Sequence, residues 1–312
     1  MVLAGGAGLG LHALTGRYDR SVLKEPLLDQ TARRPHAAIT GPLTYLLVGS
    51  DQRTAQPDTD ARSDTIIIAH VPASLDRAYL ISIPRDLLVE IPPGGDWAGG
   101  SDKVNAAFDY GGGGQGGARL LSAALSHLTG VRFDGAALID FSGFRRVIDL
   151  LGGIRMCVDT PVRSIHTGTT FAAGCQQMTG DRALDYARQR YDLPNGDFDR
   201  QRHQQQLLRA ILERISPTDL VTNPVRFDQV IRAIGSTFTV DTNGVQLEDL
   251  IFGLRGVRSD RLVGVQLPSH PEMIDETSYV LPDPEADGLY RALTGNTLDA
   301  WVTANPRWVN RL

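Results

Sequence analysis

Carboxylates and guanidinium groups crowd the stretch "GSDQRTAQPDTDARSDT" at residues 49–65, where Asp51, Arg53, Arg62 and Asp64 stand between two apolar runs at 44–48 and 65–71. Buried strands ordinarily end in turn residues. Mixed acid and guanidinium at such a place is either a solvated loop or a site for a metal ion and a polyphosphate. The planar arginine fork matches phosphate oxygens in pairs. Carboxylates supply the hard oxygens that a divalent cation takes. The same residue types recur as Arg85 and Asp86 in "IPRD", as Arg188 and Arg190 in "ARQR", and as Arg200 with Gln204 in "DRQRHQQQ". Taken singly, each has an ordinary use. Arg188 and Arg190 would be surface arginines, Asp51 or Asp64 a turn cap, Arg85 half of a structural ion pair, and Lys103 and Asn105 loop residues. The combination of arginines and aspartates at strand and helix ends points to an anion site.

The elements that must position these residues follow from pattern. Strands are expected at 44–50, 65–71 and 77–83, and the short "PASLD" link makes the second and third an antiparallel hairpin. The first strand then ends at Asp51, the second starts at Asp64, and the third delivers Arg85 and Asp86 to the same sheet edge. The glycines at 111–117 mark a flexible loop; no Gly-Lys-Ser/Thr follows, so this is not a P-loop. A helix at 120–128, a strand at 135–141, a helix ending at Gly152 and a strand at 154–158 alternate as in an α/β fold. Arg188 and Arg190 diverge on a helix and share a side in extended chain. They reach one ligand only if the helix ends by about Ala187. Arg200 and Gln204 share one helix face near an N-terminus, which favours anions, with Asp199 as N-cap. A last helix is expected near 286–292.

Composition sets the frame. The chain has 312 residues, 42% hydrophobic and 21% charged, with a formal net charge of -5. That balance opposes a protein that coats nucleic acid, and no helix-turn-helix is evident. The apolar run 1–16 is shorter than the roughly 20 residues that span a bilayer and is read as the remnant of an N-terminal membrane anchor. A linker is assigned to 17–42, with Pro26, Pro35 and Pro42, a catalytic domain to 43–296 and a tail to 297–312. The two cysteines, Cys157 and Cys175, would pair outside the cytoplasm, and closing such a loop is worth roughly 3 kcal/mol. Two thiolates without a nearby His do not make a metal site.

Against these residues, the sequence resembles the LytR–CpsA–Psr family of bacterial cell-wall transferases. The segments that carry the resemblance are "LLVGSDQR", "RSDTIIIAHV", "LISIPRDLLVEIP", "DKVNAAFDYGG", "DFSGFRRVIDLLGGI", "GDRALDYARQR" and "GDFDRQRHQQQ", in order from about Leu46 to Leu208. The resemblance implies an α/β fold, a three-layer α/β/α domain around a central mixed sheet. It implies location on the outer side of the cytoplasmic membrane behind a single-pass anchor. The donor it implies is a glycopolymer on a polyprenyl pyrophosphate and the acceptor is peptidoglycan. Pyrophosphate contacts fall on Arg62, Arg85, Arg188, Arg190, Arg200 and Gln204, Mg²⁺ on Asp51 and Asp64, and Arg53 belongs to the same motif. Asp86 is a candidate base for the acceptor hydroxyl, or a group that orients Arg85. The high Arg and Ala usage suits a high-GC actinobacterium and an arabinogalactan-type polymer; a teichoic-acid-like polymer is the other choice. His203 departs from the family, standing where many members carry Arg. The lipid needs an apolar groove, which helix residues 120–128 and 144–151 could line, although such stripes are more often plain core.

Two other readings use the same residues. A pyrophosphatase would employ the pocket with water as acceptor. A non-catalytic binding or regulatory protein would sense the lipid carrier.

Overall fold

The structure is a computed structural model that describes residues 22–35, 39–51, 63–191, 193–215, 225, 228, 235, 238–310 and 312. Its centre is an eight-stranded sheet. In chain order the strands are β1 (Leu23–Lys24), β2 (Leu43–Ser50), β3 (Ser63–Val71), β4 (Ala78–Ser82), β5 (Gly135–Asp140), β6 (Phe238–Asp241), β7 (Leu262–Gln266) and β8 (Val309–Asn310). Their spatial order is β1-β6-β5-β2-β3-β4-β7-β8. The sheet is mixed: β2 runs antiparallel to β3 and parallel to β5, and β3 and β4 form the expected antiparallel hairpin. β3 carries the β-branched run Ile66, Ile67 and Ile68, all nearly fully buried, as suits a strand covered on both faces.

Side chains alternate across each strand, and the two faces differ. Leu46 and Val48 of β2, Ile66 and Ile68 of β3 and Ile81 of β4 enter the main core. That core is closed by α1 (Ala106–Tyr110) and α2 (Gly114–Thr129). The opposite face, with Leu47, Ile67, Ala137 and Ile139, looks toward α3 (Phe141–Leu150), α4 (Gly180–Arg188) and α5 (Asp197–Ile215). Helix α6 (Leu247–Gly253) precedes β7, and α7 (Glu285–Thr294), the expected last-quarter helix, adds Leu289 and Leu293 to the main core. Three layers, α/β/α, result.

Several sequence expectations are corrected. The glycine run is not a flexible loop, because α2 already begins at Gly114. Gly117 sits so close to α1 that a Cβ there would lie 2.2 Å from the Phe108 carbonyl oxygen. The glycines let two helices close onto each other. Part of the expected linker belongs to the domain: β1 pairs with β6, and Leu27, Leu28 and Ala32 are buried in the main core. The tail likewise packs, with Leu298 buried and β8 paired to β7. Helix residues 120–128 face the main core, the commoner use of such a stripe, and do not line the cavity on the other side. Asp199 is not the N-cap of its helix; α5 starts at Asp197, and Asp199 reaches back to accept the Asn195 N–H at 2.9 Å.

The segment between β5 and α4 is stapled. The strands Ile154–Val158 and Gly174–Met178 form a ribbon in which Cys157 lies directly opposite Cys175, and the two form a disulfide. Between them the short pair Val162–Arg163 and Thr170–Phe171 carries a tight loop.

Alanine normally favours a helix over glycine by about 1 kcal/mol. At Gly117 the sign is expected to reverse, because the added methyl meets backbone. Gly117→Ala should lower the unfolding free energy by about 1–3 kcal/mol, read as a reduced urea midpoint with unchanged slope; an equal or higher midpoint would refute the close-packing account.

Candidate active site

Three chain segments meet at one end of the sheet, as the strand pairing requires. β2 ends at Ser50, and Asp51 follows it. Gly49 pairs with Thr65 while Ser50 pairs with Ser63, so Asp64 is the extra residue of a bulge. Bulges turn a side chain out of the ladder's alternation, and here the bulge sends the Asp64 carboxylate to Arg85, which follows β4. Arg85 Nη1 donates to Asp64 Oδ1 at 2.5 Å, and its Nε stands 3.5 Å from Asp86. Asp86 in turn holds Lys103 Nζ at 3.2 Å, and that ammonium lies 5.4 Å from the centre of the Tyr279 ring. The expected role of Asp86 beside Arg85 is thus that of an orienting carboxylate.

Helix α5 supplies the other half. Gln205 is fully buried, and its amide donates to Leu80 O, Ser82 Oγ and Val265 O, each at 2.9 Å. This polar spoke fixes the helix on β4 and β7. It leaves Arg200 and Gln204 at the cavity mouth. The Arg200 guanidinium is nearly buried, ion-paired with Asp197 at 2.7 Å and 4.0 Å from Asp64. Burial pushes its pKa below the ordinary arginine value, with Asp197 opposing and Arg85 adding to the shift. Arg85 goes the other way. Burial pulls it down, but Asp64, Asp86 and Asp197 together hold it above the usual value. Arg200 Nε is buried and has no hydrogen-bond partner. An unpaired buried donor costs about 1–3 kcal/mol, which an incoming anion would recover.

Arg188 is the last residue of α4, and Gln189 is already extended (φ -65°, ψ 130°). The helix therefore ends one residue later than the sequence argument required. Arg188 lies over the Phe141 ring at 4.6 Å and lines the cavity, while Arg190 stacks on Tyr191 and acts on Arg200 through its charge. Arg53 and Arg62 lie outside the described residues.

Behind the cations a cavity of about 190 Å³ runs between sheet and helices. Its walls are apolar: Leu47, Ile67 and Ile139 from the sheet, Phe144 and Val147 from α3, Leu207 and Ile211 from α5. Asp64 and Asp140, at the same end of the sheet, line it together with Arg188, Arg200 and Gln204. Such a site accepts a ligand that is greasy at one end and polyanionic at the other.

Asp51 and Asp64 offer only carboxylate oxygens as ligands. Among the described residues no three acidic, His or Cys side chains gather as a cage for a metal. Mg²⁺ commonly takes one or two carboxylates and fills its octahedron with water and substrate phosphate, so two strand-end carboxylates fit that ion chemically. Sequence reasoning passed over Asp197 and left Lys103 as a loop residue. The i,i+3 spacing of Asp197 and Arg200 was a usable signal; the Lys103–Asp86 pair had none, since it depends on folding.

His203 does not replace a missing cation. It is buried against Tyr186, ring centres 4.3 Å apart, and burial with the nearby Arg202 charge pushes its pKa down to about 4.

Residues 18–294 match the LytR_cpsA_psr family. The probable cell wall biosynthesis protein LcpB of Corynebacterium glutamicum is 36% identical over 65% of this chain and 49% of its own length. The polyisoprenyl-teichoic acid–peptidoglycan teichoic acid transferase TagU of Enterococcus faecalis is 27% identical over 72% of this chain and 70% of its own. The crystal structure of B. subtilis TagV superposes with a TM-score of 0.67 at 25% identity, over 83% of this chain and 98% of that one. The chain spans about half the length of LcpB.

The His203 environment has a pH consequence. The unfolded chain takes up the proton near the ordinary value of 6.5 and the folded chain only near 4. Protons therefore favour the unfolded state in that window, and stability falls as pH drops from about 6.5 to about 4, by an amount on the order of 3 kcal/mol. His203→Phe keeps the stack on Tyr186 and removes the titration. Urea midpoints between pH 7 and 4 should fall less steeply in the variant than in the wild type; parallel profiles would sink this assignment.

Proposed function

The chain belongs to the LytR_cpsA_psr family, and on that premise we propose that it moves a phospho-glycopolymer from a polyprenyl pyrophosphate onto peptidoglycan. One observation carries the reading: an apolar cavity whose polar lining is Asp64, Asp140, Arg188, Arg200 and Gln204. A polyprenyl chain fills the cavity, and its pyrophosphate meets the arginines. The relative TagU, a polyisoprenyl-teichoic acid–peptidoglycan teichoic acid transferase, supports the same substrate class. Its Corynebacterium relatives LcpB and LcpA support an actinobacterial cell-wall polymer, and we take arabinogalactan as the first choice over a teichoic-acid-like one.

The reaction is a substitution at phosphorus. An acceptor sugar hydroxyl attacks the phosphorus next to the glycan, the P–O bond to the bridging oxygen breaks, polyprenyl phosphate leaves, and the hydroxyl proton passes to a base or to solvent. Phosphoryl transfer of this kind depends mainly on positioning and charge neutralisation. Arg85, fixed between Asp64 and Asp86, and Arg200, nearly buried, hold phosphate oxygens without having to reorganise. Arg188 and Arg190 hold the leaving phosphate, and Gln204 adds an amide donor. Asp51 and Asp64 would hold Mg²⁺, which supplies further charge neutralisation when bound. Asp86, engaged by Arg85 and Lys103, orients the site rather than removing the proton.

The reading includes a domain on the outer side of the cytoplasmic membrane. The disulfide supports it, since such bonds persist in oxidising compartments. Among the described residues no helix is long and apolar enough to cross a membrane; the run 1–16 lies outside them.

The test is a transfer assay with Mg²⁺, a short polyprenyl-pyrophosphoryl glycan and peptidoglycan fragments. We expect glycan joined to peptidoglycan by a phosphodiester. Arg85→Ala and Asp64→Ala should each lower the rate by about 100-fold or more, and chelation should abolish turnover until Mg²⁺ is restored. Released phospho-glycan with no transfer to any acceptor would identify a pyrophosphatase. Lipid bound without turnover would identify a carrier-binding protein.

A further inference from the structure

Arg188 and Arg190 are separated by one residue, and that residue is among the most firmly held in the chain. Gln189 is fully buried. Its amide nitrogen donates to Asp185 Oδ1 at 2.8 Å, to the Asp185 carbonyl oxygen at 2.8 Å and to Ser164 Oγ at 3.0 Å. Its amide oxygen accepts the Ile165 N–H at 3.2 Å. Asp185 is buried too, and it accepts from the hydroxyls of Ser164 and Thr167, each at 2.6 Å. Ser164 Oγ also accepts the backbone N–H groups of His166 and Thr167 at 3.0 Å, which folds 164–169 into a closed loop. That loop lies inside the ring closed by the Cys157–Cys175 disulfide.

We propose that Gln189, clamped by Ser164 and Asp185, is the positioning residue that turns Arg188 and Arg190 together toward one anionic ligand; this rests on the arginine site being the pyrophosphate site proposed above. The geometry is simple. In extended chain, neighbours i and i+2 project to one side and i+1 to the other. Gln189 has extended backbone and points inward. Its two neighbours are thereby directed to the opposite side, Arg188 at the cavity mouth over Phe141 and Arg190 on Tyr191. Without the clamp the α4 terminus has an alternative, one more turn of helix, in which the two arginines diverge. No residue of the stapled loop lines the cavity, although the charges of Arg188 and Arg190 reach its His166. The loop grips Gln189 through Ser164.

The test uses the intact chain and farnesyl pyrophosphate as probe, with affinity read by calorimetry and folding by thermal melting. Arg188→Ala and Arg190→Ala should each weaken binding by roughly 10-fold or more. Gln189→Leu should weaken it comparably although it touches no ligand. The decisive readout is coupling. Gln189→Leu added to the Arg188→Ala/Arg190→Ala pair should bind about as that pair does, because the amide acts through those two arginines. Ser164→Ala removes one hydroxyl from the clamp and should give a smaller loss with the same non-additivity; it serves where Gln189→Leu fails to fold. Wild-type affinity in both clamp variants, or losses that simply add to that of the Arg188→Ala/Arg190→Ala pair, would overturn the positioning role. Arg188→Ala and Arg190→Ala variants that bind as the wild type would overturn the site reading itself, and the inference with it.

Discussion

Everything at the cavity mouth depends on holding like charges together in a place with little water. Arg200 is about one-twentieth exposed, yet the charges of Arg85 and Arg190 both act on it. Three carboxylates make this tolerable: Asp197 at 2.7 Å, Asp64 shared with Arg85, and Asp86 behind Arg85. Buried ion pairs are weak stabilisers, because desolvation offsets much of the Coulombic gain. The direction of the Arg200 shift says that its own desolvation outweighs its partners. Such a site gains from one more anion, and a pyrophosphate brings several negative oxygens at once.

The sheet provides both halves of the ligand site from one alternation. Odd and even positions of β2 and β3 face opposite layers, so Leu46 and Val48 close a dense core while Leu47 and Ile67 face the cavity. The bulge at Asp64 ends that alternation where apolar wall gives way to charge. A regular ladder would carry Asp64 to the other face from its neighbour and away from Arg85. Helix α5 must then stand at a fixed height over the sheet, and Gln205 sets it by bonding to β4 and β7 together.

How far the sequence could disclose this differs by residue. The convergence of Asp51, Asp64, Arg85 and Asp86 followed from strand order and the short hairpin link, which are local signals. The need for α4 to end near Arg188 followed from side-chain periodicity. The cysteine pairing followed from count and spacing. What stayed hidden was tertiary. Low helix propensity concealed the start of α2 at Gly114, where close approach to α1 overrides it. Proline content masked Leu27 and Leu28 as linker although they are core. Residues 120–128 carry a good apolar stripe, and no stripe states which face of a sheet it covers. Phe144 and Val147, from a stripe that reads equally as core, line the cavity. Lys103 meets Asp86 only because the strand Gly100–Lys103 folds back on Leu88–Ile91.

The choice of anchors has its own logic. The two segments that carry the site arginines on the helical side, the end of α4 and the start of α5, are each fixed by a buried amide, Gln189 and Gln205. An ion pair could fix them as firmly, but a carboxylate anchor would compete for the same guanidinium groups that the ligand needs. Where a carboxylate anchors the end of α4, at Asp185, both its oxygens are taken by hydroxyl and amide donors. Its charge is wrapped in neutral dipoles and does not draw in Arg188 or Arg190 as a bonded partner. Neutral anchors leave the cations to the ligand, while Asp64, Asp86 and Asp197 hold only those that must be buried before it arrives.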